Sequence, residues 1–127
     1  MEESTVIKKY RRVYTKAQTQ TVLSKFQDRY VDKEKLKKYM LMWNSFRQKP
    51  RCLPFERISQ LGIPLDMNVF FYDERNKVLL STTLEDIIDA VEGFQPWEGI
   101  DAYVFEDNMN WVIAITHEDN LILCLGL

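Results

Sequence analysis

Three runs of β-branched and aromatic residues close the chain: Asp101 to Phe105, Trp111 to Thr116 and Leu121 to Leu125. They are separated by the short polar stretches Glu106-Asp107-Asn108-Met109-Asn110 and Glu118-Asp119-Asn120. Three consecutive antiparallel strands are the economical solution for such a pattern. Side chains alternate along a strand, so Trp111, Ile113 and Ile115 share one side of the middle strand, and Val112, Ala114 and Thr116 share the other. Both sides are apolar, which predicts a central strand covered on each face.

The rest of the chain has to supply that cover. From Lys16 to Tyr30, Val22, Leu23, Phe26 and Tyr30 fall on one stripe of a helix, with Thr15 as its N-cap. Asp32 precedes a second helical pattern, Leu36, Tyr39, Met40, Trp43 and Phe46, which should run to about Lys49 before Pro50 stops it. Pro54 opens a short turn of helix, Phe55 to Gln60, closed by Gly62 and Pro64. Met67 to Tyr72 reads as a strand, Asp73-Glu74-Arg75-Asn76 as its turn, and Lys77 to Leu80 as the return strand. Thr82 or Thr83 caps a further helix, with Leu84, Ile87, Ile88 and Val91 as its stripe and Gly93 as its stop.

The expected fold is a single α+β domain over residues 1–127, with helices packed on an antiparallel sheet of about five strands in the order α-α-β-β-α-β-β-β. A chain of 127 residues with 46% hydrophobic side chains can bury a core without disulfides or metal. No apolar run approaches the ~20 residues of a membrane span, and no apolar stretch follows the N-terminus as in a secretory signal. The expected compartment is the cytoplasm, where Cys52 and Cys124 would remain thiols.

Charge is divided along the chain. Residues 1–57, the basic helical part, hold 15 Lys and Arg against 6 Asp and Glu; residues 58–127, the acidic sheet-rich part, hold 2 against 13. Such asymmetry marks either an interaction face or two regions that neutralise each other.

Little in the sequence carries chemistry. His117 is the only histidine, with Glu118 and Asp119 beside it, and no Gly-x-Ser-x-Gly elbow or phosphate-cradling glycine loop occurs. Three His and Cys side chains fall short of the four ligands of structural zinc, so neither metal nor cofactor is expected. The stretches Lys8-Lys9-Tyr10-Arg11-Arg12 and Lys33 to Lys38 could meet phosphates, but the acidic remainder and a pI near 5.5 disfavour nucleic acid. Between the last helix and the final strands, Trp97 and Glu98 stand in a loop that could centre a protein contact.

Asp101-Ala102-Tyr103-Val104-Phe105-Glu106-Asp107, followed by Trp111 and Thr116-His117-Glu118, resembles the end of small bacterial proteins with an Asp-x-Tyr-Val, Trp, Thr-His-Glu strand pair. Leu41-Met42-Trp43-Asn44-Ser45-Phe46 is similar to their earlier helix. By analogy with the SUKH group of toxin-immunity proteins, the resemblance implies neutralisation of a partner toxin. The expected function is therefore a non-enzymatic protein-binding module for a basic partner. Its contact residues would be Trp97, Glu98, Asp101, Glu106, Asp107, His117, Glu118 and Asp119. The alternatives are a small hydrolase or lyase that uses His117 with nearby carboxylates, and nucleic-acid binding by the basic N-terminal segment.

Overall fold

The aromatic and β-branched runs pair as their pattern requires. In the computed structural model, which describes residues 7, 9–35, 41–93, 100–117 and 121–127, the three C-terminal runs are β5 (Ala102–Phe105), β6 (Val112–Ile115) and β7 (Leu121–Leu125). β6 lies antiparallel between the other two, with Tyr103 opposite Ala114 and Ala114 opposite Leu123. The earlier hairpin is β3 (Asn68–Asp73) and β4 (Val78–Thr83), and β3 pairs with β5. β4 and β5 both flank β3 antiparallel to it, so they run parallel to each other. The crossover between them is α2 (Leu84–Gly93). Of the two threonines that could cap α2, Thr83 does so: its hydroxyl accepts from the Asp86 N–H at 3.2 Å.

Alternation along these strands divides the core in two. Phe71, Leu80, Val104, Ile113, Ile115 and Ile122 meet Leu84, Ile87 and Val91 of α2, together with Phe55 and Ile58 of the 3₁₀ helix Phe55–Gln60. On the other face Tyr72, Leu79, Tyr103, Phe105, Val112 and Ala114 meet Phe26 and Tyr30 of α1 (Lys16–Tyr30). The central strand is thus covered on both sides. α1 begins at Thr15 with a capping box, Gln18 N–H to Thr15 Oγ1 at 3.1 Å and Thr15 N–H to Gln18 Oε1 at 3.0 Å.

Two expectations need correction. The sheet among the described residues has seven strands, in the order β1-β4-β3-β5-β6-β7-β2, because the basic part contributes an edge at each end. β1 (Arg12–Val13) pairs with β4, and β2 (Arg51–Pro54) pairs with β7. Two residues are too few to show a period, and Pro50 and Pro54 disguise β2, although proline is tolerated on an edge strand. The exposed Arg11, Arg12 and Arg51 lie on these edges, where charge discourages further strand pairing.

The second correction concerns the helix expected from Asp32 to Lys49. Leu36, Tyr39 and Met40 lie outside the described residues, but Lys33–Lys35 form a turn and Met42–Ser45 a 3₁₀ helix. Val31 bridges Phe46, the Asp32 N–H donates to the Ser45 carbonyl at 2.7 Å, and the Arg47 N–H donates to the Tyr30 carbonyl at 2.8 Å. The Met42 N–H is taken by the Glu74 carboxylate and the Trp43 N–H by the Tyr103 hydroxyl, acceptors that come from the β3–β4 turn and from β5 and not from a preceding helical turn. Tertiary hydrogen bonding overrides the helical spacing here.

The cysteines are free. Cys52 stands opposite Leu123, on the α1 side, and Cys124 stands opposite Arg51, in the α2-side core. Neighbours on opposite faces of a sheet cannot align their Cβ vectors for a disulfide.

Candidate functional site

Antiparallel register brings three chain segments to one end of the sheet: Glu74 and Arg75 after β3, Asp101 before β5 and His117 after β6. The Glu74 N–H donates to the Asp101 carbonyl at 3.0 Å, which ties the first two together. The Asp101 side chain has no solvent exposure. A buried carboxylate must be compensated, and three donors converge on this one. Arg75 Nε lies 2.5 Å from Oδ2, while His117 presents Nδ1 at 2.8 Å and its N–H at 3.3 Å to Oδ1. An ionised carboxylate only accepts, so the contact to an ionised Asp101 requires the proton on Nδ1 and directs Nε2 away from it. The Trp43 ring lies against the imidazole, with centroids 6.1 Å apart.

A second buried chain adjoins the first. The Tyr103 hydroxyl donates to Glu74 Oε1 at 2.6 Å and accepts the Trp43 N–H at 2.9 Å. Glu74 also accepts the Met42 N–H, at 3.2 Å to its nearer oxygen. Burial raises the Glu74 carboxyl above its ordinary range, opposed by the hydrogen bonds from Tyr103 and Met42. Burial, reinforced by the Glu74 charge, pushes the Tyr103 phenol well above its usual value. Tyr72, its neighbour across the sheet, is pushed up to about 12, chiefly by burial.

The residues expected to form a partner contact do not all meet. Asp101 and His117 share this end of the sheet, but Asp101 is closed to an outside partner by its burial, and His117 is only half-exposed. Glu106 and Asp107 lie at the far end of β5. There Glu106 accepts from Trp111 Nε1 at 2.8 Å and Asp107 pairs with Lys25 at 3.0 Å. Trp97, Glu98, Glu118 and Asp119 lie outside the described residues. Glu74, Arg75 and Tyr103 escaped the sequence reading, since two sit in a turn and the third in an apolar strand. The signal for Glu74 and Arg75 was positional: polar groups flanking strands that must be neighbours.

Charge segregation persists in a changed form. With β1 and β2 at opposite edges, the basic part straddles the acidic sheet, and Lys25–Asp107 joins the two directly. Across the sheet the helices differ. α1 carries exposed Lys16, Lys25 and Arg29, while α2 carries exposed Glu85, Asp89 and Glu92 on one stripe, with half-buried Asp86 beside it. No ion pair among the described residues involves these four acids. Nor do the described residues gather three metal-ligating side chains, and no helix among them is long and apolar enough to cross a membrane. The chain matches no protein-family model, no curated protein and no solved structure.

Proposed function

We propose that the chain is a non-enzymatic binding module that docks a basic protein through the outer face of α2, in its most specific form as an immunity protein against a toxin. One observation carries the reading: Glu85, Asp89 and Glu92 follow one another at helical spacing, exposed, with no cation paired to them among the described residues. This arrangement works against the helix itself. Acids four residues apart repel, and Glu92 sits at the negative end of the helix dipole with no basic residue in the last turn. A cationic partner surface would relieve both penalties and be steered to the site. The resemblance of the last 30 or so residues to small bacterial proteins, some suspected of toxin immunity, supports the toxin form.

The test compares the chain with its triple variant Glu85→Lys/Asp89→Lys/Glu92→Lys in binding to a panel of purified basic nucleases and other basic proteins. Selective binding that weakens with salt and disappears in the variant is expected; equal binding by both chains would refute the reading. Rescue of growth on co-expression with the product of a neighbouring toxin gene checks the immunity form.

The Asp101–His117 contact favours a second reading, a small hydrolase or lyase. An imidazole oriented through Nδ1 by a buried carboxylate is the arrangement of a general base. Turnover of model esters that is lost in His117→Gln while folding is retained would support it, and turnover unaffected by that change would remove it.

A further inference from the structure

We infer that a cavity on the α1 side binds a phosphate or phosphomonoester group. It has a volume of about 210 Å³ and is lined by Arg29, Tyr30, Arg47, Gln48 and Leu125, where the last turn of α1 meets the segment after the Phe46 bridge and the end of β7. Two guanidinium groups thus line one concavity, and neither has a carboxylate partner among the described residues.

Both arginines are held in place. Arg29 lies over the Tyr30 ring, 5.2 Å from its centroid, and Arg47 donates from Nε to the Val31 carbonyl at 3.0 Å. The Tyr30 hydroxyl is fixed by its own bond to the Met109 carbonyl at 2.7 Å, so the aromatic wall is anchored to the β5–β6 turn. Both side chains are exposed, and each guanidinium keeps terminal N–H donors in a planar fork, the geometry that matches oxygens held on one phosphorus. A dianion neutralises both charges at once, which a single carboxylate does not.

Size and field are consistent with this choice. The cavity is smaller than the ~300 Å³ at which sites for whole drug-sized ligands begin, so it takes an anionic head group with at most a small substituent. The C-terminal end of α1 opposes an anion, and two guanidiniums without a carboxylate partner among the described residues outweigh that. The site lies across the sheet from α2 and does not depend on the docking reading.

The experiment titrates the intact chain with inorganic phosphate against sodium chloride of equal ionic strength, following the arginine Nε–H resonances and the melting temperature. Phosphate should shift Arg29 and Arg47 and raise Tm, with binding at least tenfold weaker in Arg29→Gln, whose exposed side chain is not needed for folding. Arg47→Gln should weaken it similarly. A nucleoside monophosphate that binds more tightly than phosphate assigns an organic phosphomonoester, and equal binding assigns the phosphate group alone. The inference is overturned if phosphate and chloride act alike, if binding survives both arginine changes, or if only a single-stranded oligonucleotide binds. Charge reversal on α2 should leave phosphate binding unchanged, so failure here is distinguishable from failure of the docking proposal.

Discussion

Replacing Tyr103 by Phe removes one oxygen atom from the middle of the sheet and strands two groups. The side chain is fully buried, and its hydroxyl both donates to Glu74 and accepts the Trp43 N–H. A hydrogen bond to a charged acceptor contributes about 1.5–3 kcal/mol, and an orphaned N–H adds ~1 kcal/mol, so the expected loss is about 3 kcal/mol. For a domain of this size that lowers Tm by ~10 °C. Urea and thermal unfolding followed by circular dichroism measure it. The pH dependence gives an independent reading. Burial raises the carboxyl of Glu74 in the folded chain. The stability from its protonation is therefore fully present below the unfolded carboxyl value and lost as pH rises through the folded one. Tyr103→Phe deletes a bond that favours the carboxylate, so the folded value climbs further and the loss extends to higher pH. Glu74→Gln, whose amide oxygen can still accept from Tyr103 and Met42, should flatten that window. A cost under ~1 kcal/mol for Tyr103→Phe at pH 7, or an unchanged pH slope in Glu74→Gln, would refute the reasoning.

Further perturbations probe the frame and the acidic face. Gly126 has φ +80°, and a Cβ there would lie 2.2 Å from the Asn110 carbonyl oxygen and 3.0 Å from the Trp111 Cα. Both neighbours are backbone, so Gly126→Ala should cost at least ~2 kcal/mol in urea unfolding, strain and displacement combined; an unchanged midpoint would contradict the close approach. A maleimide should label exposed Cys52 in the native chain and reach Cys124 only after denaturation, because burial pushes that thiol up to about 11. Mild oxidation should form no intrachain disulfide, and detection of one by mass spectrometry would contradict the opposite-face placement. Glu92→Lys should stabilise the chain by ~0.3–1 kcal/mol at low salt and by nothing measurable at ~1 M salt, through the dipole of α2. A destabilised variant would mean that Glu92 has a partner in the folded chain.

Local pattern was sufficient for the elements whose spacing reports burial. The N-cap at Thr15, the stripe of α2 and the three C-terminal strands were legible because a cap is a local signal and each periodic face is a buried one. The segment after Tyr30 misled because Trp43 and Phe46 are spaced as in a helix, while the neighbouring backbone N–H groups find their acceptors on Glu74 and Tyr103. Of the site, only His117 and its carboxylate partner Asp101 could be named in advance. Arg75 and Glu74 joined them because the β3–β5 register sets the two strand ends side by side.

The sequence alone determined a two-sided sheet, because alternating apolar residues in β3, β5 and β6 leave no face that water could wet, and it determined the unequal charge of the two chain regions. Tertiary structure decided where that charge goes. The basic region supplies both sheet edges and α1 on one face, and, among the described residues, only Ile7 and the start of the 3₁₀ helix at Phe55 to the buried core on the other, where the exposed stripe of α2 is acidic. Pairing partners and the face a helix covers depend on contacts between residues far apart in the chain, which no local period encodes.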